Sequence, residues 1–350
     1  MANESFVLGL AVVCACLVIW ACRTLPAESW QILAAVPIAK DEDGRWRGVN
    51  LTYYGLLTAN AAVAAVALLF ILMTAIGTPL IGTLAIVVAE LAVCVPAAKL
   101  VARMVEKKEG TFTVAGAFFV GIVLAPWVVS LVNWSAGERV RFPVPVTAAL
   151  AAIMTVYAFG EGLGRLACIS FGCCYGKPLS QLHPVIRRLF ERWYFVFSGE
   201  MKKIAYASDL AGERVIPIQA VTSGLYLATS LITTLFFLRA QYSVALAISL
   251  LVTQGWRMAS ETLRADYRGG RTVSPYQVMG LLAIPYTLCM PLFFAAPSVP
   301  KPNVLRGLQS LWSPEVVLFL QGLWVALFMF FGKSMVTGSA ISFHVHHDRV

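Results

Sequence analysis

Hydrophobic positions in this chain form long, nearly uninterrupted runs that short polar stretches separate. A helix needs about 20 residues to cross a hydrocarbon core of about 30 Å, and the runs are that long. They lack the alternation of membrane β-strands, so no barrel is expected. The pattern predicts an all-α fold, a polytopic transmembrane helical bundle of about nine spans. The predicted spans are residues 5–22, 50–75, 80–104, 113–134, 142–170, 216–238, 241–262, 274–297 and 313–337.

The polar stretches divide the chain into three parts. Residues 1–48 are predicted to hold one span and an interfacial connection, and residues 49–297 a membrane core with an extramembrane insert at 177–215. Residues 298–350 are predicted to hold the last span and a tail. The first run has Glu4 and no Lys or Arg before it, which favours an uncleaved helix over a signal peptide. A disordered terminus, with metal binding as the alternative, is expected for His344, His346 and His347.

Composition agrees with a membrane protein and adds a positive charge. Apolar residues make up 59% of the chain and charged residues 13%, with a formal net charge of +9. In the insert, HPVIRRLFERWYFVF mixes basic and aromatic residues and predicts an amphipathic helix at the headgroup layer. A solvated connecting loop is the alternative. We assign the positive charge to anionic lipid, and no motif indicates binding of nucleic acid.

One polar segment, GEGLGRLACISFGCCYGKP at 160–178, ends the fifth predicted span. Glu161 and Arg165 are costly to bury at the end of a membrane helix, which indicates a site. The spacing of Cys168, Cys173 and Cys174 is not a usual zinc pattern. Packing of small residues around a turn is the first interpretation, so no metal is predicted. A metal site and a reactive thiol stay as alternatives.

A second group of charges lies near the end of the seventh predicted span. Arg257, Glu261, Arg264 and Arg268 have helical spacing, and they predict one charged face from which Asp266 stands apart. Arginine binds phosphate through paired donors. These arginines and the one at the earlier helix end are therefore expected to converge on one anion, a phospholipid at that depth. Mutual neutralisation of an arginine and a glutamate within the membrane is the alternative.

With these motifs identified, the chain resembles the bacterial prolipoprotein diacylglyceryl transferases over about residues 53–277. Five motifs match in order. The matching positions are Tyr54 in YYGLL, Arg165 and Gly176 in GRLACISFGCCYG, Gln219 after Pro217, Arg257, Glu261 and Arg264 in RMASETLRAD, and Gln277 after Ser274.

The resemblance implies a seven-helix transferase core that moves the diacylglyceryl group of phosphatidylglycerol to a cysteine thiol of a lipobox-bearing protein, without a cofactor. It implies a bacterial cytoplasmic membrane, with the site toward the periplasm, although the positive-inside rule favours the opposite orientation. The implied catalytic residues are Arg165, Arg257, Arg264, Tyr54 and Glu261, the last orienting Arg257. The candidate substrate-binding residues are Gly176, Gln219 and Gln277, which the resemblance implies, together with Glu161 and Cys168 of the segment 160–178.

The chain departs from the family at four positions. Val114 stands where the family has a histidine, Cys168 replaces an asparagine, Cys173 an acid and Thr253 a tyrosine. Glu161 is then a candidate base. Two other functions remain open. They are a lipid-binding or lipid-moving protein that has lost catalysis, and a non-enzymatic membrane scaffold.

Overall fold

The computed structural model describes residues 1–106, 113–136, 143–266, 274–294 and 299–350. Within these ranges, each of the nine predicted spans contains one long helix. Eight of the nine are long and apolar enough to cross a membrane, which confirms the polytopic helical bundle. The exception, Tyr242–Leu263, is more polar. The helices are α1 (Ala2–Thr24), α2 (Tyr53–Ala75), α3 (Leu80–Glu106), α4 (Val114–Ala136), α5 (Val146–Phe171), α8 (Ile218–Leu238), α9 (Tyr242–Leu263), α10 (Pro275–Cys289) and α12 (Pro314–Phe331).

Three short helices lie between these spans: α6 (Pro184–Phe190), α7 (Lys203–Ser208) and α11 (Val304–Ser310). Besides the helices, the described residues form three strands, which the sequence did not predict. They are β1 (Ile32–Lys40), β2 (Trp46–Thr52) and β3 (Lys333–Ile341), in an antiparallel sheet of order β1-β2-β3. The last predicted span is accordingly shorter than expected, because β3 takes its final residues.

Helix α5 lies at the centre of the bundle and packs against α2, α8 and α9. Its first half is rich in buried alanines, among them Ala148, Ala151 and Ala152. Small side chains let membrane helices approach closely. Farther along α5, Gly160 and Gly162 continue this surface, since an added Cβ would lie 2.8 Å from Ala65 Cβ and 2.9 Å from Leu227 Cγ. The position of α5 therefore brings its polar end into the protein and away from lipid.

Long-range hydrogen bonds show which helix ends share a face. Asn3 Nδ2 donates to the Leu238 carbonyl at 3.2 Å, which joins the start of α1 to the end of α8. On the opposite face, Thr52 N donates to the Gly332 carbonyl at 2.9 Å, which joins the start of α2 to the end of α12. That second face also holds the end of α5, the start of α8 and the end of α9. We call it the polar face.

The insert at 177–215 differs from the predicted amphipathic helix. Only Pro184–Phe190 of that stretch is helical, and Phe195 and Phe197 are buried within the protein. Lys202 is fully buried, and its Nζ donates to the Leu25 carbonyl at 3.1 Å and the Ser170 carbonyl at 2.7 Å. Burial lowers the pKa of Lys202 to about 8. Buried residues of the insert therefore pack it against the polar face.

Candidate functional site

The polar end of α5 presents one stripe of functional side chains. Tyr157, Glu161 and Arg165 are four residues apart and so lie on one side of the helix. Arg165 Nη2 donates a short hydrogen bond to Glu161 Oε1. Only 7% of the Glu161 side chain is exposed, so this ion pair is largely desolvated. Tyr157 is a member that the motifs did not reveal, although its spacing from Glu161 was visible in the sequence.

Arg257 of α9 reaches the same stripe from the neighbouring helix. Its Nη2 donates a short hydrogen bond to the Tyr157 hydroxyl and lies 4.0 Å from Glu161 Oε1. Arg165 and Arg257 thus meet at one carboxylate. The prediction that Glu261 orients Arg257 was wrong, because the acid near Arg257 is Glu161 on the other helix.

Arg264 was also predicted incorrectly as part of the α9 face. Helix α9 ends at Leu263, and Arg264 adopts an extended conformation and pairs with Gly176. Its Nε and Nη2 donate to the two carboxylate oxygens of Asp266, both at 2.7 Å, and its Nη1 lies 3.9 Å from Glu261 Oε1. Asp266, which we expected to stand apart, is therefore its main partner. Arg268 lies outside the described residues.

The arginines are balanced in charge but keep unused donors. Among the described residues, Glu161, Glu261 and Asp266 face three arginines, so these charges balance, whereas the excess expected from the sequence also counted Arg268. The Nε atoms of Arg165 and Arg257 are nevertheless buried without a hydrogen-bond partner in the part of the chain that the structure describes. A buried donor without an acceptor is costly. An anionic oxygen from a ligand would satisfy such a donor.

A narrow cleft opens beside this cluster between the ends of α5, α8 and α9. Gln219 lies in the first turn of α8, on the wall of the cleft. Its Nε2 donates to the Cys173 carbonyl at 2.8 Å, while its Oε1 is buried without a partner among the described residues. The lining of the cleft therefore combines guanidinium groups with an amide around a space of about 10 Å³. Its polar lining consists of Arg165, Cys174, Gln219, Thr222, Ser260 and Arg264.

A tight turn after α5 brings three cysteines together. Gly172 has a left-handed conformation (φ +68°), its N–H donates to the Ile169 carbonyl at 3.2 Å, and the Cys173 N–H donates to the Cys168 carbonyl at 3.1 Å. These two bonds define a Schellman motif, which places the residues at Cys168 and Cys173 in contact. Cys174 is also left-handed (φ +56°) and turns back toward them. All three Sγ atoms lie within 4.8 Å of one another.

The two cysteines beyond the helix differ in acidity. Interactions with the Cys168 and Cys173 thiols, together with the charges of Arg264 and Arg165, hold the pKa of Cys174 well below its usual range. Interactions with Cys168 and Cys174, together with burial, raise the pKa of Cys173. The thiol that lines the cleft is therefore the one that favours the thiolate.

Gly176 holds this turn against the other elements. Lys177 N donates to the Leu263 carbonyl at 2.9 Å, and Ile216 N donates to the Lys177 carbonyl at 3.1 Å. The short extended segment around Gly176 thus lies between the end of α9 and the start of α8. A Cβ at Gly176 would lie 2.6 Å from both Ile216 Cβ and Ile216 O, so its position in the motif has a steric cause.

We expect Gly176→Ala to lower the free energy of unfolding by about 1–3 kcal/mol, because the added methyl group overpacks a backbone contact that has no room to relax. Thermal unfolding in detergent measures the change. Gly164→Ala is the matched control, since an added Cβ at that position of α5 meets nothing within 4 Å. Equal melting temperatures for the two variants would contradict the close contact at Gly176.

The remaining predicted residues lie at the edge of the site. Tyr54 lies in the first turn of α2, and its ring centroid lies 5.4 Å from that of Phe171. Gln277 takes part in the capping box of α10 with Ser274, and its Nε2 donates to the Met258 carbonyl at 3.1 Å. Gln277 therefore fastens α10 to α9. Val114, at the start of α4, is 53% exposed.

A larger open groove lies in the insert, away from the arginine cluster. Arg187, Glu191, Glu213 and Arg214 line it in a mixture of both signs. Arg214 lies 4.8 Å above the ring of Tyr194. We place the candidate site in the narrower cleft, because that cleft has buried polar atoms without partners.

These observations define a multi-pass helical membrane protein with a buried arginine and cysteine site at one membrane face. The chain matches no model of a known protein family, and no curated protein is similar to it in sequence.

Proposed function

We propose that the cleft binds the phosphate of phosphatidylglycerol or a similar anionic phospholipid, and that the protein transfers the diacylglyceryl group to a thiol. The observation that carries the proposal is the buried Nε of Arg165, a donor without a partner at a cleft that Arg264 also lines. We place the protein in the bacterial cytoplasmic membrane with the polar face toward the periplasm. The resemblance to the diacylglyceryl transferases supports both the proposed reaction and the proposed location.

The chemical groups of the cleft complement this headgroup. A phosphodiester presents anionic oxygens, which Arg165 and Arg264 are suited to bind through charge-assisted hydrogen bonds. A glycerol headgroup also has hydroxyl groups, and the unpartnered Oε1 of Gln219 is an acceptor for one of them. The location at helix ends agrees with a headgroup that enters from the surface while its acyl chains stay in the bilayer.

The reaction that follows is a substitution at carbon. A thiolate attacks the diacylglyceryl carbon that bears the phosphate oxygen, a C–S bond forms, and the C–O bond breaks. Glycerol phosphate leaves with the electron pair, so negative charge grows on the oxygen in the transition state. Arg165, which lines the cleft, would stabilise that charge, and Glu161, which also lies 4.0 Å from Arg257, would hold the Arg165 guanidinium in position.

A second function is favoured by one specific observation. Glu161, the candidate base, already accepts a hydrogen bond from Arg165 and lies 4.0 Å from Arg257, so it is not a free proton acceptor. A protein that binds the lipid headgroup without turnover would need no base.

The purified full-length chain in lipid nanodiscs separates the two. With phosphatidylglycerol labelled in its headgroup and a cysteine-containing lipobox peptide, we expect release of labelled glycerol phosphate and a peptide that gains the mass of a diacylglyceryl group. Phosphatidylcholine nanodiscs are the control. Retention of label by the protein without release supports lipid binding alone, and neither binding nor release removes the proposed lipid site.

A further inference from the structure

We propose that Cys168, Cys173 and Cys174 form a zinc site with three thiolate ligands, whose open fourth position faces the arginine cleft and binds the acceptor thiol as a thiolate. The site deepens the proposed function and rests on it only for the role of the fourth ligand. The three-cysteine site itself stands on the geometry of the turn.

The turn is built to hold three sulfur ligands. In a tetrahedral zinc site, Zn–S bonds of about 2.3 Å separate neighbouring sulfurs by about 3.8 Å. The three Sγ atoms already lie within 4.8 Å of one another, so small side-chain adjustments close the site. The backbone that sets them there is fixed by the Schellman bonds and by Gln219, which donates to the Cys173 carbonyl. The spacing of the cysteines in the sequence is not a usual zinc pattern. The left-handed conformations of residues 172 and 174 are what bring the three sulfurs together.

The surroundings match the charge of such a site. Zinc with three thiolates carries one negative charge, and a fourth thiolate adds another. Cys174 lines the cleft together with Arg165 and Arg264, whose guanidinium groups lie on the side where the fourth ligand would bind, although each is also paired with a carboxylate. Catalytic zinc sites have three protein ligands and keep one position open. The fourth ligand would reach the zinc through the cleft.

A zinc ion at this site would promote the deprotonation of the acceptor thiol. A thiol that coordinates zinc loses its proton, which leaves to solvent, so no side-chain base is required. The bound thiolate then attacks the lipid carbon, glycerol phosphate departs with the electron pair, and the thioether product dissociates from the metal. The substitution of a histidine by Val114 is then compatible with catalysis.

Cobalt titration of the full-length protein in detergent tests the site without any lipid. After removal of metal by a chelator, Co²⁺ is added as a spectroscopic substitute for Zn²⁺. We expect one Co²⁺ per chain, with the intense sulfur-to-cobalt charge-transfer absorption and the visible bands of a tetrahedral thiolate site, and displacement by Zn²⁺. Each of Cys168→Ser, Cys173→Ser and Cys174→Ser should weaken binding about a hundredfold, because one ligand of a site of this kind contributes roughly 3 kcal/mol. Cys16→Ser and Cys289→Ser are the controls, since both cysteines are exposed and lie on other helices.

The fourth position has its own readout. Adding the cysteine lipobox peptide to the cobalt protein should shift the visible bands, whereas the same peptide with serine should not. Absence of cobalt binding, binding that the three variants leave unchanged, or a disulfide within the trio in freshly purified protein would overturn the zinc site. If cobalt binds as expected and no glycerol phosphate is released, the proposed transferase function fails while the site stands. Unchanged transfer by the triple serine variant would overturn the role in activating the acceptor.

Discussion

Arg165→Ala is expected to lower kcat/KM for release of glycerol phosphate by about a hundredfold. Arg165 lines the cleft, and its buried Nε has no hydrogen-bond partner among the described residues, so the substitution removes a donor that remains for the ligand. Loss of one preorganised donor to a developing negative charge has an effect of this size. Arg165→Lys keeps the charge but not the fork of donors, and we expect an intermediate loss.

The controls separate this effect from unfolding. Arg239→Ala removes an exposed arginine at the opposite end of α8, and its activity should equal that of the unchanged protein. Thermal unfolding of Arg165→Ala shows how much folded protein remains, and rates are compared per folded molecule. Full activity of Arg165→Ala would remove the proposed phosphate site.

The sequence predicted the helical spans well because hydropathy is a local property. It could not predict the sheet in the same way. The apolar run of β1 has no alternation, and its neighbour β2 pairs on its other side with β3, almost 300 residues away. β2 leads directly into α2 and β3 follows α12, so this pairing depends on the packing of α2 against α12, which no local pattern describes.

In the candidate site, too, the features set by local spacing were predictable and those set by contacts between distant elements were not. The stripe of Tyr157, Glu161 and Arg165 follows from spacing within one helix, and it was available from the sequence. The partner of Arg257 was wrong because contact between helices, not spacing within α9, selects Glu161. Arg264 left its predicted helix because it pairs with Gly176, a contact made by a distant turn.

The sequence allowed only part of the cysteine turn to be predicted. A glycine four residues after Cys168 and one before Cys173 is the pattern of a Schellman motif, which brings those two residues into contact. The third cysteine joins them only because Cys174 is left-handed, a conformation that its residue type disfavours. The sequence therefore supported packing around a turn, and the three-sulfur cluster required the folded backbone.

The second large effect that we expect is on stability. Glu161→Gln should lower the free energy of unfolding by about 3–5 kcal/mol, because two guanidinium groups would lose the one carboxylate they share inside the bundle. Glutamine keeps the shape of the side chain, so a cavity cannot account for the loss. Titration with sodium dodecyl sulfate in mixed micelles measures the change.

Glu4→Gln is the matched control for that measurement, since Glu4 also contacts two cationic groups, the N-terminus and Arg239, but at the exposed end of α1, where we expect little change. The double variant Glu161→Gln with Arg257→Gln tests the cause directly. If uncompensated charge produces the loss, removing one arginine restores part of the stability, and the effects of the two substitutions are not additive. Additive losses, or a Glu161→Gln protein as stable as the unchanged chain, would mean that Glu161 does not couple the two arginines, and with them the two helices that carry the cleft.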